Sequence, residues 1–301
     1  MTAFLPPLRV PVPGGELTVH QLGGDERCQR TLIALHGITA NGMSMRPLAR
    51  AIAATDSGLR VLAPDLAGRA CSNAVIGPWG IGRHAEDVIA IADAIDAERV
   101  TVLGHSMGAY VAAAAASRRP ERFDRVVLVD GGIAFPPPPG ADIDTLLTAV
   151  IGPAMTRLSM TFPNTDAYLS FMAANPAVAE VRNAGGSAAA DLRAYLEHDI
   201  VHRPDGTLAS SCALEAIRVD GGAVLTEPET LTAAPSLAVP ATLLWAPRGL
   251  MNQTPGLLTA EAIEAARLPN TVTVTAVPDC NHYSIMFAEH ALDAVLRGIL
   301  G

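Results

Sequence analysis

Residues 100–117 read VTVLGHSMGAYVAAAAAS, and this stretch decides the fold. Its apolar start predicts a buried strand, and its alanine-rich end predicts a helix. Ser106 lies between the two, at a sharp turn that points its side chain away from the sheet. The flanking residues Gly104 and Gly108 lack the Cβ atoms that would clash as the helix folds back against the strand. We interpret this turn as a nucleophile elbow that presents Ser106 for attack.

The length and composition of the chain allow one large α/β domain, or one such domain with an insertion. The chain has 301 residues, of which 50% are hydrophobic and 17% charged, and can bury a sizeable core. A net charge of −9 without a cluster of basic residues argues against nucleic-acid binding. Residues 1–20 show no secretory signal pattern, and no apolar stretch reaches the roughly 18–20 residues of a membrane span. We therefore expect a cytoplasmic protein without an integral membrane segment, and its oligomeric state is left open.

Short apolar runs alternate with helix-length segments along most of the chain. This alternation is typical of βα units in a mostly parallel, doubly wound sheet. A preceding antiparallel hairpin is predicted from residues 8–12 and 16–21, with its turn at Gly14-Gly15. The six predicted core strands cover residues 31–35, 60–63, 100–103, 126–129, 242–245 and 272–276.

The alternation stops for about 100 residues, which is too long for a loop in a compact domain. We interpret residues 133–238 as an inserted helical lid, entered through the prolines at 136–139 and left through Pro235. The core then consists of residues 1–132 and 239–301. Apolar and aromatic residues of the lid are candidates for substrate contacts, and the alternative is that they form the lid's own small core. These candidates are Phe162, Tyr168, Phe171, Met172 and Tyr195.

A serine is a poor nucleophile at neutral pH unless a base takes its proton. His282 follows the last predicted strand and precedes the final helix, so it lies at the same sheet edge as Ser106. We assign His282 as the general base; the alternative is an ordinary surface histidine. The other histidines fit this role less well. We place His105 beside the nucleophile and His20 in the hairpin. We expect His84 and His290 on solvated helix faces, and His198 and His202 in the lid.

A carboxylate should orient this histidine and stabilise its protonated form. The loop at 246–253, after the fifth predicted strand, contains no Asp or Glu. Asp130 ends the preceding strand at the same edge, so we assign it as the acid. Alternatively the acid comes from elsewhere, or Asn252 orients the base more weakly. Asp65 also ends a strand, but we interpret it as part of a loop, with Arg69 as its charge partner.

Two backbone amides are expected to bind the negative charge that develops on a carbonyl oxygen. One is the amide of Met107, which follows the nucleophile at the positive end of its helix. The other is the amide of Ile38, in the loop that follows the first core strand. We expect the side chain of His36 to hold that loop in shape.

Together these residues resemble the α/β-hydrolase superfamily, and the chain is similar to its lidded, esterase-like or lipase-like members. The likeness covers residues 31–130 and 241–300. Serine, acid and histidine follow one another in the family's order. The position of the acid differs, because most members carry it in the loop that corresponds to residues 246–253, which is acid-free here. Some haloalkane dehalogenases use the earlier strand end instead. The likeness rests on His36-Gly37, Pro64-Asp65-Leu66-Ala67-Gly68, the GHSMG motif, Val129-Asp130 and Asn281-His282.

The resemblance implies a serine hydrolase that cleaves carboxylic esters of hydrophobic small molecules through an acyl-enzyme. The same residues also suit an acyltransferase, a thioesterase, a lactonase or a carbon–carbon bond hydrolase. From a different class, a receptor-like protein would bind a ligand in this pocket with only residual turnover. We expect no metal or organic cofactor, because side chains and amides complete the chemistry. The four cysteines, Cys28, Cys71, Cys212 and Cys280, show no zinc-binding spacing.

Overall fold

The carboxyl ends of neighbouring parallel strands position the candidate catalytic residues. The computed structural model describes residues 5–55, 58–134 and 140–301. Its main sheet has eight strands; β1 and β2 are antiparallel to each other, β2 is antiparallel to β4, and the other neighbours are parallel. From edge to edge they are β1 (Leu8–Val12), β2 (Gly15–Gly23), β4 (Leu59–Pro64), β3 (Arg30–Leu35), β5 (Val100–His105), β6 (Phe123–Val129), β9 (Ala241–Trp245) and β10 (Val272–Ala276).

This order confirms the predicted α/β-hydrolase fold with a mostly parallel, doubly wound sheet. After β3 the chain first forms β4 on one side and then crosses to β5 on the other. All six predicted core strands are present, and so is the hairpin, although its turn lies at Pro13-Gly14 because Gly15 already pairs with Val12. Gly14 has φ 87° there, a backbone conformation that residues with a Cβ rarely adopt.

Helices cover both faces of the sheet, so the central strands are buried on both sides, whereas most residues of the edge strands β1 and β10 are at least partly exposed. In β3, Ile33 and Leu35 belong to one hydrophobic cluster, whereas Leu32 and Ala34 belong to the other, as the two-residue period of a strand requires. The core helices are α1 (Arg46–Thr55), α2 (Ile81–Ala94), α3 (Met107–Arg118), α10 (Ala260–Ala265) and α11 (Glu289–Leu300). Within the described chain, no helix is both long enough and apolar enough to cross a bilayer.

Helix α3 is buried around most of its circumference. All residues from Ala109 to Ala116 are at most 5% exposed. Their side chains are mostly methyl groups, which favour a helix and let it pack closely on β5 and β6. The first residue of α3 is Met107, so the helix N-terminus lies directly at Ser106.

The segment between β6 and β9, hereafter the β6–β9 segment, is mostly helical. It also contains a short antiparallel hairpin of β7 and β8, which the sequence analysis did not predict. Its last helix, α9, packs against α2 and α3. The prolines at 136–139 lie outside the described residues, and the predicted lid boundaries stay a prediction. The elements are α4 (Ile143–Ser159), α5 (Thr165–Ala173), α6 (Pro176–Ala184), α7 (Gly186–His198), β7 (Ile200–His202), β8 (Leu208–Ser210), α8 (Leu214–Thr226) and α9 (Pro228–Ala233).

Candidate active site

Ser106 adopts a left-handed backbone conformation between β5 and α3, with φ 56° and ψ −122°. Such a conformation costs on the order of 1–3 kcal/mol, so the surrounding structure must hold it. The Ser106 amide donates to the carbonyl of Val129 at 2.9 Å, which ties the turn to the end of β6. A Cβ on Gly104 would lie 1.9 Å from the carbonyl oxygen of Gly108, and a Cβ on Gly108 would lie 2.4 Å from that of Leu35, so both glycines are needed for the close approach of the helix to the strands.

Asp130 and His282 meet at the end of β6. The Nδ1 atom of His282 donates to Oδ2 of Asp130 at 2.6 Å. The second carboxylate oxygen accepts from the amide of Ala246 at 3.1 Å, and the Asp130 amide donates to the carbonyl of Leu244 at 2.7 Å. The acid-free loop after β9 therefore contributes a backbone donor to this carboxylate. Because Nδ1 holds its proton toward Asp130, Nε2 of His282 is left free to accept one.

The loop that carries His282 is fixed from two sides. The side chain of Asn281 accepts from the amides of Tyr283 and Ser284 at 2.8 and 2.9 Å, which closes a tight turn around His282. On the other side, Nε2 of His105 donates to the carbonyl of His282 at 2.8 Å. Burial and the neighbouring His282 hold the pKa of His105 well below its ordinary value, so His105 stays a neutral donor. The sequence analysis placed His105 in the elbow but missed this contact.

Asn252, the alternative orienter, does not contact His282. Its side-chain oxygen accepts from Nδ2 of Asn281 at 3.2 Å and from the guanidinium of Arg248. Arg248 also pairs with Glu180 of α6. These contacts make Asn252 part of the support beneath the histidine loop, and the carboxylate on His282 is that of Asp130.

The loop at residues 37–39 lies against Ser106. A Cβ on Gly37 would lie 3.1 Å from the Cβ and 3.4 Å from the Oγ of Ser106. Two buried guanidiniums hold this loop, because Nε of Arg69 donates to the carbonyl of Ile38 and Nη2 of Arg157 donates to that of Thr39, both at 3.0 Å. Ile38 and Met107 both line the cavity at Ser106, and as the first residue of α3 Met107 has an amide without an acceptor inside the helix. Their role as oxyanion donors stays a prediction.

His36 connects two loops at the carboxyl edge of the sheet. Its Nδ1 donates to the carbonyl of Gly37 at 2.8 Å, and its Nε2 accepts from the amide of Leu66 at 3.0 Å. The side chain is fully buried, and burial lowers its pKa from 6.5 to about 3. A neutral imidazole is required for this pair of bonds, since one nitrogen donates and the other accepts. These contacts confirm that His36 holds the loop in shape.

The predicted pairing of Asp65 with Arg69 is wrong. Arg69 is fully buried and forms its ion pair with Asp220 of α8, at 2.5 Å. His84 contacts the same carboxylate at 2.9 Å and is fully buried, so its predicted solvated position is also wrong. Burial alone would raise the pKa of Asp220, but His84 and Arg69 outweigh it and lower that pKa. The long side chain of Arg69 passes beneath the loop that follows β4 and reaches α8 instead of the nearby Asp65.

Asp65 is buried and contacts two histidines. Oδ2 of Asp65 lies 2.9 Å from Nε2 of His20 and 3.0 Å from Nε2 of His198, while Oδ1 accepts from the amide of Gly42 at 2.8 Å. Burial alone would raise the pKa of Asp65, but the hydrogen bonds from His198 and His20 hold it below its ordinary range. Asp65 also accepts from the amide of Cys71, which agrees with its predicted role in loop architecture.

A cavity of about 550 Å³ opens at Ser106 and His282. Its walls come from the loop at residues 37–40, from α4, from α8 and from the loop after β9. Seven polar side chains besides the catalytic candidates and His105 line it, and no arginine or lysine does so among the described residues. These polar residues are Thr39, Ser44, Tyr110, Asn175, Tyr195, Gln253 and Tyr283. The aliphatic and methionine side chains are Ile38, Ala40, Met107, Leu147, Ile151, Ala154, Val224, Leu225, Leu250, Met251, Leu257 and Met286.

Of the five lid candidates, only Tyr195 lines this cavity. Phe162 packs its ring against Tyr168 and Phe171, with centroids 5.1 and 5.5 Å apart, and Met172 lies beside Arg157. These four do not line the cavity and lie in a hydrophobic cluster that also includes Leu32 and Ala34 of β3, so their role as substrate contacts stays a prediction. The cavity instead receives Leu147, Ile151 and Ala154 from α4. Their spacing of three and four residues is a helical stripe that could have revealed them.

Chain order, sheet topology and the Ser106, Asp130 and His282 arrangement define a protein of the α/β-hydrolase class. The family model described as "alpha/beta hydrolase fold" matches residues 30–289. The chain belongs to this family.

Known proteins resemble parts of the sequence and the whole fold. An uncharacterised protein of Mycobacterium tuberculosis is 31% identical over 101 residues, 34% of this chain and 29% of that protein. The 2-hydroxy-6-oxononadienedioate/2-hydroxy-6-oxononatrienedioate hydrolase of Paraburkholderia xenovorans is 28% identical over 131 residues, 43% of this chain and 45% of that enzyme. These matches span less than half the length of either relative. The crystal structure of E-2-(acetamidomethylene)succinate hydrolase is 20% identical with a TM-score of 0.76, over 99% of this chain and 100% of that one.

Proposed function

We propose that this protein is a serine hydrolase that cleaves carboxylic esters of apolar small molecules through an acyl-enzyme. One observation carries the proposal: a strained serine and a histidine line one apolar cavity, and that histidine is held by a buried carboxylate 2.6 Å away. In this mechanism the Oγ atom of Ser106 attacks the ester carbonyl while Nε2 of His282 takes its proton. Asp130 keeps the required tautomer and stabilises the imidazolium that forms.

The tetrahedral intermediate carries a negative charge on the former carbonyl oxygen. The amides of Ile38 and Met107 flank Ser106 and are the donors we assign to that oxygen. His282 then returns the proton to the departing alcohol, which leaves the acyl group on Ser106. Water, activated by His282, attacks this acyl-enzyme and releases the carboxylic acid.

The walls of the cavity support an apolar substrate. Four aliphatic side chains, Leu147 and Ile151 of α4 and Val224 and Leu225 of α8, line the cavity together with the loop at residues 37–40. An aliphatic chain placed among them would gain about 25 cal/mol for each Å² of apolar surface removed from water. We therefore propose that the β6–β9 segment acts as a lid and that α4 and α8 select the substrate.

Carbon–carbon bond hydrolysis is the second candidate, since the Paraburkholderia relative is named for a dioate substrate. A dioate carries two carboxylates, which a site usually meets with arginine or lysine. The described cavity walls offer none, and the nearby Arg69 and Arg157 are committed to Asp220 and Asp199. This difference favours an uncharged ester over a dicarboxylate.

A series of p-nitrophenyl esters from acetate to palmitate tests the proposal. We expect saturable hydrolysis with an optimum at one chain length, and its loss in Ser106→Ala. A 2-hydroxy-6-oxo-dienedioate should be turned over much more slowly than the best ester. If the dienedioate is the better substrate, or if no ester is hydrolysed above the Ser106→Ala background, the ester proposal is wrong.

A further inference from the structure

A second cluster of reactive side chains lies outside the cavity described above. It contains His20 of β2, Asp65 at the end of β4, Cys71 in the 3-10 turn Ala70–Ser72, and His198, the last residue of α7. One donor atom from each of the four lies within 4.8 Å of the donor atoms of the others. His198 and Asp65 are 133 positions apart in the chain, so sequence spacing does not reveal the cluster.

The distances suit a tetrahedral metal ion. Nε2 of His20 and Nε2 of His198 lie 2.9 and 3.0 Å from Oδ2 of Asp65, and Sγ of Cys71 lies 3.9 Å from Nε2 of His198. Around Zn²⁺, with bonds of about 2.0–2.3 Å, tetrahedral ligand atoms are separated by roughly 3.3–3.6 Å. Shifts of a few tenths of an ångström would bring these three pairs to such separations, and the remaining pairs, which are within 4.8 Å, would have to close by at most about 1.2–1.5 Å on binding.

The chemistry of the four donors also fits a transition metal. Two imidazole nitrogens, one thiolate and one carboxylate form a mixed set of borderline and soft ligands that favours Zn²⁺ over Mg²⁺ or Ca²⁺. Cys71 is exposed, so an ion can reach the cluster from solvent. Asp65 differs from two other buried carboxylates of the protein, because Asp199 and Asp220 each pair with an arginine, whereas Asp65 pairs with His20 and His198.

We propose that His20, Asp65, Cys71 and His198 bind one Zn²⁺ ion per chain. The ion would connect the end of α7 to β2 and to the loop after β4, and so fasten the β6–β9 segment to the core. Binding displaces the thiol proton of Cys71 to solvent, and each imidazole binds through Nε2 while its remaining proton resides on Nδ1. The ion is distinct from the catalytic machinery, and the proposal stands independently of the ester chemistry.

Isothermal titration of tag-free, EDTA-treated and then dialysed protein with ZnCl₂ tests this proposal. We expect one Zn²⁺ per chain. Loss of an outer-sphere partner alone weakens metal binding roughly 10–100-fold, so Cys71→Ser, which removes a direct ligand, should raise the Kd for Zn²⁺ by at least that factor. Cys28→Ser changes a cysteine outside the cluster and should leave the Kd unchanged. With Co²⁺, the unmodified protein should show a thiolate-to-metal absorption band in the near ultraviolet that Cys71→Ser lacks.

Thermal unfolding separates loss of a ligand from loss of the fold. In EDTA, Cys71→Ser and His198→Ala should unfold cooperatively, as the unmodified protein does, and at equal Zn²⁺ concentration both variants should gain less stability than the unmodified protein. Absence of one-to-one binding would overturn the proposal. Equal Zn²⁺ affinity in Cys71→Ser, together with a Co²⁺ spectrum lacking the thiolate band in all variants, would overturn it as well.

Discussion

Nδ1 of His282 lies 2.6 Å from Oδ2 of Asp130, although 152 positions separate the two residues in the chain. Both side chains are buried, and the carboxylate also accepts from the amide of Ala246. An acid at the end of β6 therefore reaches the histidine that follows β10, while the loop after β9 supplies a backbone amide. The acid-free loop is therefore compatible with Asp130 as the proposed orienter of His282.

Asp130→Asn should lower kcat by about 10⁴-fold. An amide at this position can donate to Nδ1 of His282, which would move the imidazole proton to Nε2 and block its role as a base. Steady-state hydrolysis of the best p-nitrophenyl ester measures the effect, with circular dichroism to check the fold. Asn252→Ala is the matched control and should retain most of the activity. If Asn252→Ala is the more damaging of the two, Asp130 is not the acid.

The three candidate catalytic residues are predictable because their signals are local. An apolar run, two glycines and an alanine-rich helix identify Ser106, and Asp130 and His282 each follow a recognisable strand. Side-chain partners are much less predictable. Arg69 is only four positions from Asp65 in the chain, but its guanidinium reaches a carboxylate of α8. That contact depends on how the β6–β9 segment packs, which residue spacing does not encode.

The cavity walls illustrate the same difficulty. Phe162 and Tyr168 are conspicuous in sequence, but they pack against each other in the β6–β9 segment. Ile151 is an ordinary aliphatic residue, but the position of α4 brings it to the lining of the cavity at Ser106. An aromatic side chain favours burial in general. Whether it is buried in a hydrophobic core or lines the cavity depends on how the helices pack.

Ile151→Trp should shift substrate preference toward shorter acyl chains. The larger side chain removes space from a cavity of about 550 Å³, and each excluded methylene costs on the order of 1–3 kcal/mol in transition-state binding. We expect kcat/KM for the longest accepted ester to fall at least about tenfold relative to acetate. Met172→Leu, at a position that does not line the cavity, should leave the chain-length profile unchanged. The same shift in both variants would contradict the assignment of α4 to the substrate wall.

Arg157→Ala should destabilise the protein by about 3–5 kcal/mol, because it leaves the carboxylate of Asp199 buried without a cation. The two side chains are 3% and 2% exposed and lie 3.1 Å apart. Urea unfolding gives the change in the free energy of unfolding. Arg218→Ala, which removes an exposed partner of Asp144, should cost less than about 1 kcal/mol. Equal costs would show that the buried pair contributes no more than a surface pair.

Acidification should destabilise the fold through His36. Its pKa falls from 6.5 to about 3 on burial, so at pH 5 the unfolded chain binds a proton that the folded protein excludes. Stability is therefore full above pH 6.5 and is lost as the pH falls from 6.5 toward 3, by about 2 kcal/mol at pH 5. His105, whose pKa is also lowered, acts in the same direction.

Imidazole NMR tests this sign directly, with the His36 signal assigned from its absence in His36→Gln. The His36 ring should remain neutral from pH 8 to about 4.5 while the protein stays folded. A titration midpoint of His36 near pH 6.5 would contradict this account, because it would mean that water reaches the imidazole. Protonation of His36 would then break its hydrogen bond with the amide of Leu66.

Reaction with a fluorophosphonate probe, followed by intact-protein mass spectrometry, tests the central claim most directly, because only an activated serine forms the adduct. We predict one adduct on the unmodified protein and none on Ser106→Ala. Ser44 lines the same cavity but is not our assigned nucleophile, so Ser44→Ala should be labelled fully. An unmodified protein that forms no adduct, or an adduct that persists in Ser106→Ala, would contradict the assignment of Ser106 as the nucleophile.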